Sequence, residues 1–210
     1  MVALRGLLIG AVVAGLSAKA AAAAAADGRD EPWRMAVNLY GYVVPDQPDF
    51  AMAVLPVDFR RLHLEVRYNY EAVGSASGFV GASAGWGDRV KLTVTPMFGG
   101  VAGQARGLVP AVRLTLAWWK LDLSSESEFV VDLDDRDASF FYQWAELGLS
   151  PMAWLRVGAA VQRSRVIVTP LDIQRGLFAS VTIRFVTVTL YEFNAGWTTP
   201  TWVGAVGLSF

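Results

Sequence analysis

Apolar and polar residues alternate strictly over stretches of about ten residues, and this pattern constrains the fold more than any other feature of the chain. In residues 62–70 the alternating apolar set is Leu62, Leu64, Val66, Tyr68 and Tyr70. The same alternation recurs in residues 89–98, 111–118, 155–164 and 177–185. A period of two places apolar side chains on one face of a β-strand and polar side chains on the other. The chain is therefore predicted to be all-β.

The predicted strands are long enough to cross a membrane. A tilted spanning strand needs about 9–11 residues, whereas strands of soluble proteins average about 5–6. Beyond Ala26, no run of about 18 consecutive apolar residues could form a spanning helix. Only helices and closed barrels pair every backbone polar group within lipid. A closed antiparallel transmembrane β-barrel is therefore the expected fold.

The strand count is predicted to be twelve, with ten as the alternative. The strands are expected near 34–43, 50–57, 61–71, 78–86, 89–98, 110–118, 121–131, 140–149, 154–165, 176–184, 186–194 and 201–210. The first pair is the least regular, because Pro45, Pro48 and Pro56 interrupt it and proline cannot donate to a strand ladder. An even number of strands places both chain ends on the periplasmic side.

Two further patterns favour a barrel. Tight junctions near Gly87-Asp88, Trp119-Lys120 and Arg184-Phe185 alternate with longer segments at 99–109, 132–139 and 166–175, as expected for short periplasmic turns and longer extracellular loops. Aromatic residues cluster at the strand ends in two predicted girdles. The first comprises Trp86, Trp118, Trp119, Trp154, Phe185 and Phe210, and the second Tyr68, Tyr70, Phe98, Phe140, Phe141, Tyr191, Phe193 and Trp202.

Residues 1–26 are typical of a secretory signal peptide, and residues 27–210 are expected to form a single barrel domain. Arg5 is followed by an apolar run from Leu7 to Leu16 and an alanine-rich cleavage region. Residues 27–210 contain more acidic than basic side chains. Nucleic-acid-binding proteins carry an excess of basic residues, so this class is excluded. The chain has 0 cysteines, so it is not a disulfide-stapled secreted scaffold.

The last strand, TWVGAVGLSF, places Trp202, Val206, Leu208 and Phe210 on one face, with an aromatic residue at the end. This segment resembles the carboxyl-terminal signal that the barrel assembly machinery recognises in bacterial outer-membrane proteins. The stretches RLHLEVRYNYE (61–71), TPMFGG (95–100) and LDIQRG (171–176) are similar to an uncharacterised group of porin-like outer-membrane barrels of Gram-negative bacteria. The resemblance implies location in the bacterial outer membrane, without a substrate or catalytic residues to transfer.

Charged side chains on the polar strand faces are expected to point into the lumen. The candidate lumen and selectivity residues are Glu65, Arg67, Lys91, Arg113, Glu126, Glu128, Glu146, Arg156 and Arg184, with His63, Asp122 and Gln162 on the same faces. One interpretation is a narrow channel in which facing basic and acidic walls select small hydrophilic solutes. The alternative is a structural or surface-interaction barrel whose lumen is plugged by ion pairs, because small barrels are filled by side chains.

An outer-membrane hydrolase or acyltransferase is the third hypothesis. It would use His63, the only histidine, oriented by Glu65, but the GASAG stretch at 81–85 does not match a nucleophile motif. The acidic loop with Asp132, Asp134, Asp135 and Asp137 lacks the glycine and terminal glutamate of an EF-hand. No catalytic residue, metal or cofactor is therefore predicted. The expected partners are outer-membrane lipids, lipopolysaccharide and the assembly machinery, and the oligomeric state stays open.

Overall fold

The computed structural model describes residues 32–44, 48–167 and 171–210, so the predicted signal peptide lies outside the described residues. The strands are β1 (Trp33–Val43), β2 (Phe50–Phe59), β3 (Leu62–Tyr68), β4 (Ser75–Ala82), β5 (Ala84–Trp86), β6 (Val90–Gly103), β7 (Gly107–Trp118), β8 (Leu121–Asp132), β9 (Phe140–Met152), β10 (Leu155–Val166), β11 (Asp172–Ile183), β12 (Val186–Phe193) and β13 (Thr201–Ser209). A 3-10 turn covers Arg136–Ala138. The described part of the chain contains no helix with the length and apolar character of a bilayer span.

The strands form one closed antiparallel barrel. Consecutive strands pair with each other except β4 and β5, β1 pairs with β13, and β4 pairs with β6 to complete the ring. The three-residue β5 pairs with β6 beyond the end of β4, so twelve strands make the closed wall. The predicted count of twelve is therefore confirmed, and the alternative of ten is wrong.

The first hairpin tolerates Pro56 because the ladder between β1 and β2 is interrupted beside it. The register runs from Met35 opposite Val57 to Asn38 opposite Val54, without paired residues in between. A proline at such a gap removes no ladder hydrogen bond. This irregularity allows β2 to extend as a full wall strand despite the proline.

Short and long connections lie at opposite ends of the barrel. At the turn end, the strands are joined by residues 60–61, 87–89, 119–120, 153–154 and 184–185. At the loop end, the fully described connections are 69–74, 104–106, 133–139 and 194–200. One predicted loop is wrong: most of 99–109 is strand, because the glycines extend β6 to Gly103 and β7 begins at Gly107. The asymmetry of turns and loops otherwise agrees with the prediction.

The outer surface of the barrel is apolar along the strands. Exposed outward side chains include Leu39, Leu64, Val80, Leu147, Leu177 and Leu190. On β13, Trp202 and Val206 are exposed on this surface and Leu208 is half-buried. The backbone of Phe210 exchanges two hydrogen bonds with Met35, at 2.8 and 3.2 Å, which extends the closing ladder. An apolar exterior around a polar interior is the arrangement that a lipid environment favours.

The aromatic girdle at the turn end is confirmed, whereas the prediction for the loop end is only partly correct. All six aromatic residues expected at the turn end are exposed. At the loop end Tyr68, Phe98 and Trp202 are exposed, but four of the predicted residues are buried inside the barrel: Tyr70, Phe140, Tyr191 and Phe193. Three of these stand on inward positions of β9 and β12. Tyr70 follows Asn69, whose positive φ of 58° ends the alternation of β3.

The lipid-facing surface can be tested with one substitution at two exposed leucines. Leu147 lies near the middle of β9 and is 55% exposed, whereas Leu133 lies in a loop-end connection and is 63% exposed. We expect Leu147→Arg to lower the free energy of unfolding by about 2–4 kcal/mol, because arginine would enter the hydrocarbon region. Leu133→Arg should change it by less than about 0.5 kcal/mol. Urea unfolding in phospholipid vesicles measures both, and equal losses would contradict a membrane-embedded wall.

Candidate functional site

The inward faces of five strands bring most of the predicted lumen residues together. Alternation along β3 turns His63, Glu65 and Arg67 inward, while Leu64 and Val66 face outward. The same alternation directs inward Arg113 from β7, Asp122, Glu126 and Glu128 from β8, Glu146 from β9, and Arg156 and Gln162 from β10. The charged side chains form two groups within the barrel.

The larger group, here called the Arg67 cluster, comprises His63, Glu65, Arg67, Glu71, Arg113, Glu126 and Glu128. Arg67 is fully buried, and its three guanidinium nitrogens donate to three different glutamates. The distances are 2.6 Å to Glu65, 2.7 Å to Glu128 and 2.6 Å to Glu126. Because β3 and β8 are not neighbours in the sheet, the bonds to Glu126 and Glu128 span the lumen from wall to wall, whereas Glu65 lies on the same strand as Arg67.

Arg113 makes a second connection across the same space. It donates through Nε and Nη2 to Glu126, at 2.8 and 2.6 Å, and through Nη2 to Glu65, at 2.9 Å. His63 lies at the edge of the cluster, with Nδ1 at 2.8 Å from Asp58 and Nε2 at 3.6 Å from Glu65. Charge-assisted bonds of this length are among the stronger hydrogen bonds in proteins. The histidine contacts ion-pair partners, and no serine of the described chain hydrogen-bonds to its ring.

The second group, the Arg156 cluster, comprises Asp122, Glu146 and Arg156. Arg156 donates through Nη1 to Glu146 at 2.6 Å and through Nε to both oxygens of Asp122 at 3.1 Å, and its Nη2 also pairs with Asp122. The other oxygen of Glu146 accepts from Trp144 Nε1 at 3.0 Å and from the Tyr191 hydroxyl at 2.8 Å. Both carboxylate oxygens of Glu146 therefore accept hydrogen bonds from protein side chains.

Aromatic side chains fill the space around both clusters. The guanidinium of Arg67 lies 4.1 Å from the ring centroids of both Tyr70 and Phe79, and that of Arg156 lies 4.5 Å from Phe178. Trp144 is fully buried against Tyr191 at 5.3 Å between ring centroids. Cations over aromatic faces gain electrostatic attraction that increases when water is excluded. The lumen is thus narrowed both by ion pairs and by rings.

The connection between β3 and β4, residues 69–74, folds into the barrel. It buries Tyr70, Glu71 and Ala72, and the Tyr70 hydroxyl donates to Glu126 at 3.2 Å. The backbone of Asn69 donates to Ser75 and the Asn69 side chain accepts from Gly74, which closes the turn that directs these residues inward. Sequence reasoning missed Glu71 as a lumen residue. In the sequence, Glu71 is an isolated acidic residue between Tyr70 and Ala72. This pattern does not predict that the connection folds into the barrel.

Burial raises the pKa of the Glu71 carboxyl, while the nearby Arg67 and a hydrogen bond from Ser77 oppose the rise and Glu65 adds to it. The Ser77 hydroxyl donates to Glu71 Oε1 at 2.7 Å, and Arg67 Nη1 lies 3.6 Å from the same oxygen. Glu71 Oε2 is buried and has no hydrogen-bond partner in the described structure. Removing a carboxylate from water disfavours its charged form, so Glu71 holds its proton more readily than an exposed glutamate.

Two predicted lumen residues do not reach either cluster. Lys91 is on an inward position of β6 but close to the turn end, where its side chain is exposed. Arg184 lies in the turn after β11, with a φ of 54° and an exposed side chain, so its expected position on the lumen wall is wrong. The alternation of β11 ends one residue earlier, at Ile183, because the hairpin turn begins there.

The acidic loop after β8 is organised by its own backbone. Asp132 accepts hydrogen bonds from the backbone of Asp134 and Asp135, and Asp135 accepts from Asp137 at the start of the 3-10 turn. Asp134 also lies 3.4 Å from Arg106, and both side chains are exposed. Within residues 32–44, 48–167 and 171–210, no group of three or more histidine, aspartate or glutamate side chains is arranged to hold a metal ion.

The barrel is similar to solved porin structures. A structure described as KdgM porin superposes with a TM-score of 0.62 at 14% identity, covering 83% of this chain and 99% of that one. KdgM porin in complex with disordered oligogalacturonate superposes with a TM-score of 0.59 at 12% identity, covering 83% of this chain and 98% of that one. No family model matches the sequence, and no curated protein matches it significantly. The similarity confirms the predicted fold, a closed antiparallel β-barrel.

The Arg156 cluster depends on a glycine of the neighbouring strand. A Cβ placed at Gly148 would lie 2.7 Å from the Arg156 Cζ, so the guanidinium occupies the space that a side chain would take. We expect Gly148→Val to displace Arg156 from Glu146 and to lower the free energy of unfolding by about 3 kcal/mol, since a buried carboxylate would lose its partner. The control is Gly204→Val, where no atom lies within 4 Å of the added Cβ. Urea unfolding measures both variants. If Gly148→Val and Gly204→Val lower the free energy of unfolding by similar amounts, Gly148 is not required to make space for Arg156.

The buried carboxylate of Glu71 should destabilise the folded barrel when it is charged. We expect Glu71→Gln to raise the free energy of unfolding at pH 8 by about 1 kcal/mol, because glutamine keeps an acceptor for Ser77 and removes the unpaired charge. A raised pKa in the folded state means that the wild-type protein gains stability as pH falls through the carboxyl range. The difference between the two proteins should therefore shrink as pH is lowered. Urea unfolding across pH measures it, and a variant that is less stable at pH 8 would contradict the expectation.

Proposed function

We propose that this chain forms a narrow, porin-like channel for small hydrophilic solutes in the bacterial outer membrane. The observation that carries the proposal is the polarity of the closed wall: charged side chains line its inside, while apolar side chains cover its outside. A barrel built only for support would gain nothing from arginines and glutamates at its centre, since buried ion pairs are rarely more stable than apolar packing. The fold shared with KdgM porin supports the same role.

In this proposal the two clusters form the constriction that selects solutes. The selecting residues are Glu65, Arg67, Arg113, Glu126, Glu128, Glu146 and Arg156, with Glu71 added by the folded-in connection. Lys91 would act at the mouth on the turn end rather than at the constriction, and Arg184 is not included. No enzymatic step is part of the proposal.

A second candidate is a structural barrel with a plugged lumen that acts through its loops. One observation favours it: the side chains of Glu65, Arg67 and Glu126 are at most 1% exposed, so water does not reach them in this conformation. A channel therefore requires that the ion pairs separate or that the folded-in connection moves. Conduction is the property that distinguishes the two candidates.

The same proposal covers location and assembly. The outward row of Trp202, Val206, Leu208 and Phe210 on β13 and beyond its end is proposed as the signal for the barrel assembly machinery. The exposed turn-end aromatic residues are proposed to contact outer-membrane lipids, and the loop end to contact lipopolysaccharide. The alternation of the last strand and its apolar exposed face support this assignment.

Conductance in a planar bilayer tests the proposal. We expect unitary current steps from the refolded chain, and larger steps from Trp144→Ala, because Trp144 is the largest fully buried side chain in the lumen. Leu147→Ala on the outer face of the same strand is the matched control and should leave the step size unchanged. Heat-modifiable gel mobility confirms folding of each protein. If folded wild-type protein and Trp144→Ala are both silent, the plugged barrel replaces the channel.

A further inference from the structure

The constriction contains more carboxylates than guanidinium groups. In the described chain, the two clusters bring five buried glutamates against three arginines: Glu65, Glu71, Glu126, Glu128 and Glu146 against Arg67, Arg113 and Arg156. Nearer the turn end, Asp122 is already paired with Arg156, Asp58 stands opposite Arg34 in the register between β1 and β2, and Lys91 is exposed on an inward position of β6. The acidic excess is therefore located at the constriction itself.

Glu71 is the carboxylate that the arginines leave without a full partner. Each guanidinium nitrogen of Arg67 already donates to Glu65, Glu126 or Glu128 at 2.7 Å or less. Glu71 Oε1 lies 3.6 Å from Arg67 Nη1, so the carboxylate reaches into the cluster, while its Oε2 has no partner. Glu71 is 1% exposed, which excludes bulk water as the group that satisfies this oxygen. A buried acceptor in this position attracts a cation or a proton.

Resting on the proposed channel function, we propose that the lumen selects small cations, including ions that bear ammonium or guanidinium groups, and excludes anions. A net negative charge in a space lined by protein acts with little screening, so it raises the local concentration of cations and repels anions. In the Arg67 cluster, the guanidinium groups of Arg67 and Arg113 already form ion pairs with Glu126. The same carboxylates can therefore bind a guanidinium or ammonium group of a permeating ion. A permeating cation would exchange with Arg67 or Arg113 at the same oxygens.

The reversal potential in a potassium chloride gradient tests this selectivity, and it is recorded at alkaline pH because burial raises the pKa of Glu71 and the carboxyl must be charged. We expect the sign of the wild-type reversal potential to correspond to potassium permeation. The reversal potential should shift toward zero in the single variant Glu71→Gln, and further toward zero in the double variant that combines Glu71→Gln with Glu128→Gln. Glutamine keeps an oxygen acceptor for Ser77 and Arg67, so these variants remove charge with little change in shape. Gel mobility before each recording confirms that the barrel has folded.

The control removes the same number of charges from the loop end. Asp134→Asn with Asp135→Asn alters two exposed side chains of the connection between β8 and β9, where salt screens charges beyond about 10 Å at 0.1 M. Its reversal potential should match that of the wild type. Chloride-selective steps, or an equal shift in this control, would overturn the inference while leaving a channel in place. Silence of both the wild type and Trp144→Ala would overturn the channel and the inference together.

Discussion

The pairing of every backbone polar group within lipid is the constraint on which the rest of this structure depends. An open sheet would expose two unpaired edges to hydrocarbon, so the sheet must close. Closure occurs where β1 meets β13 and where β4 meets β6, and the hydrogen bonds between Met35 and Phe210 extend it. Once the wall is closed, each strand has one face toward lipid and one toward the lumen, which explains the strict alternation of the sequence.

The closed wall also determines what its charged residues must do. A barrel of twelve strands brings the side chains of opposite strands within reach, and Arg67 on β3 contacts Glu126 and Glu128 on β8. Because water does not reach these groups, each guanidinium must be paired inside the protein. The pairs therefore depend on one another: the glycine at position 148 leaves space for Arg156, and Arg156 in turn pairs with Glu146. The unequal numbers of glutamates and arginines are then a property of the two clusters taken together.

Much of the wall was predictable from local pattern. Alternation predicted the strands to within a few residues, and the inward positions of Glu65, Arg113, Glu146 and Arg156 followed from it. The prediction was wrong where alternation ends. Arg184 shares the parity of the inward face of β11 but lies in a turn, and Tyr70 lies beyond the positive φ of Asn69. The glycines of 99–109 indicated a loop, but they pair as strands because the neighbouring strands extend alongside them.

The sequence by itself determined that this chain is a membrane-spanning barrel with charged residues inside, because the side-chain period of two is a local property of an extended backbone. Only the tertiary structure decided which charges meet. Arg67 and Glu128 are 61 positions apart, and their contact depends on the diameter and register of the closed ring. The tertiary structure also determines that residues 69–74 fold inward, because this requires a lumen that exists only after all strands have paired.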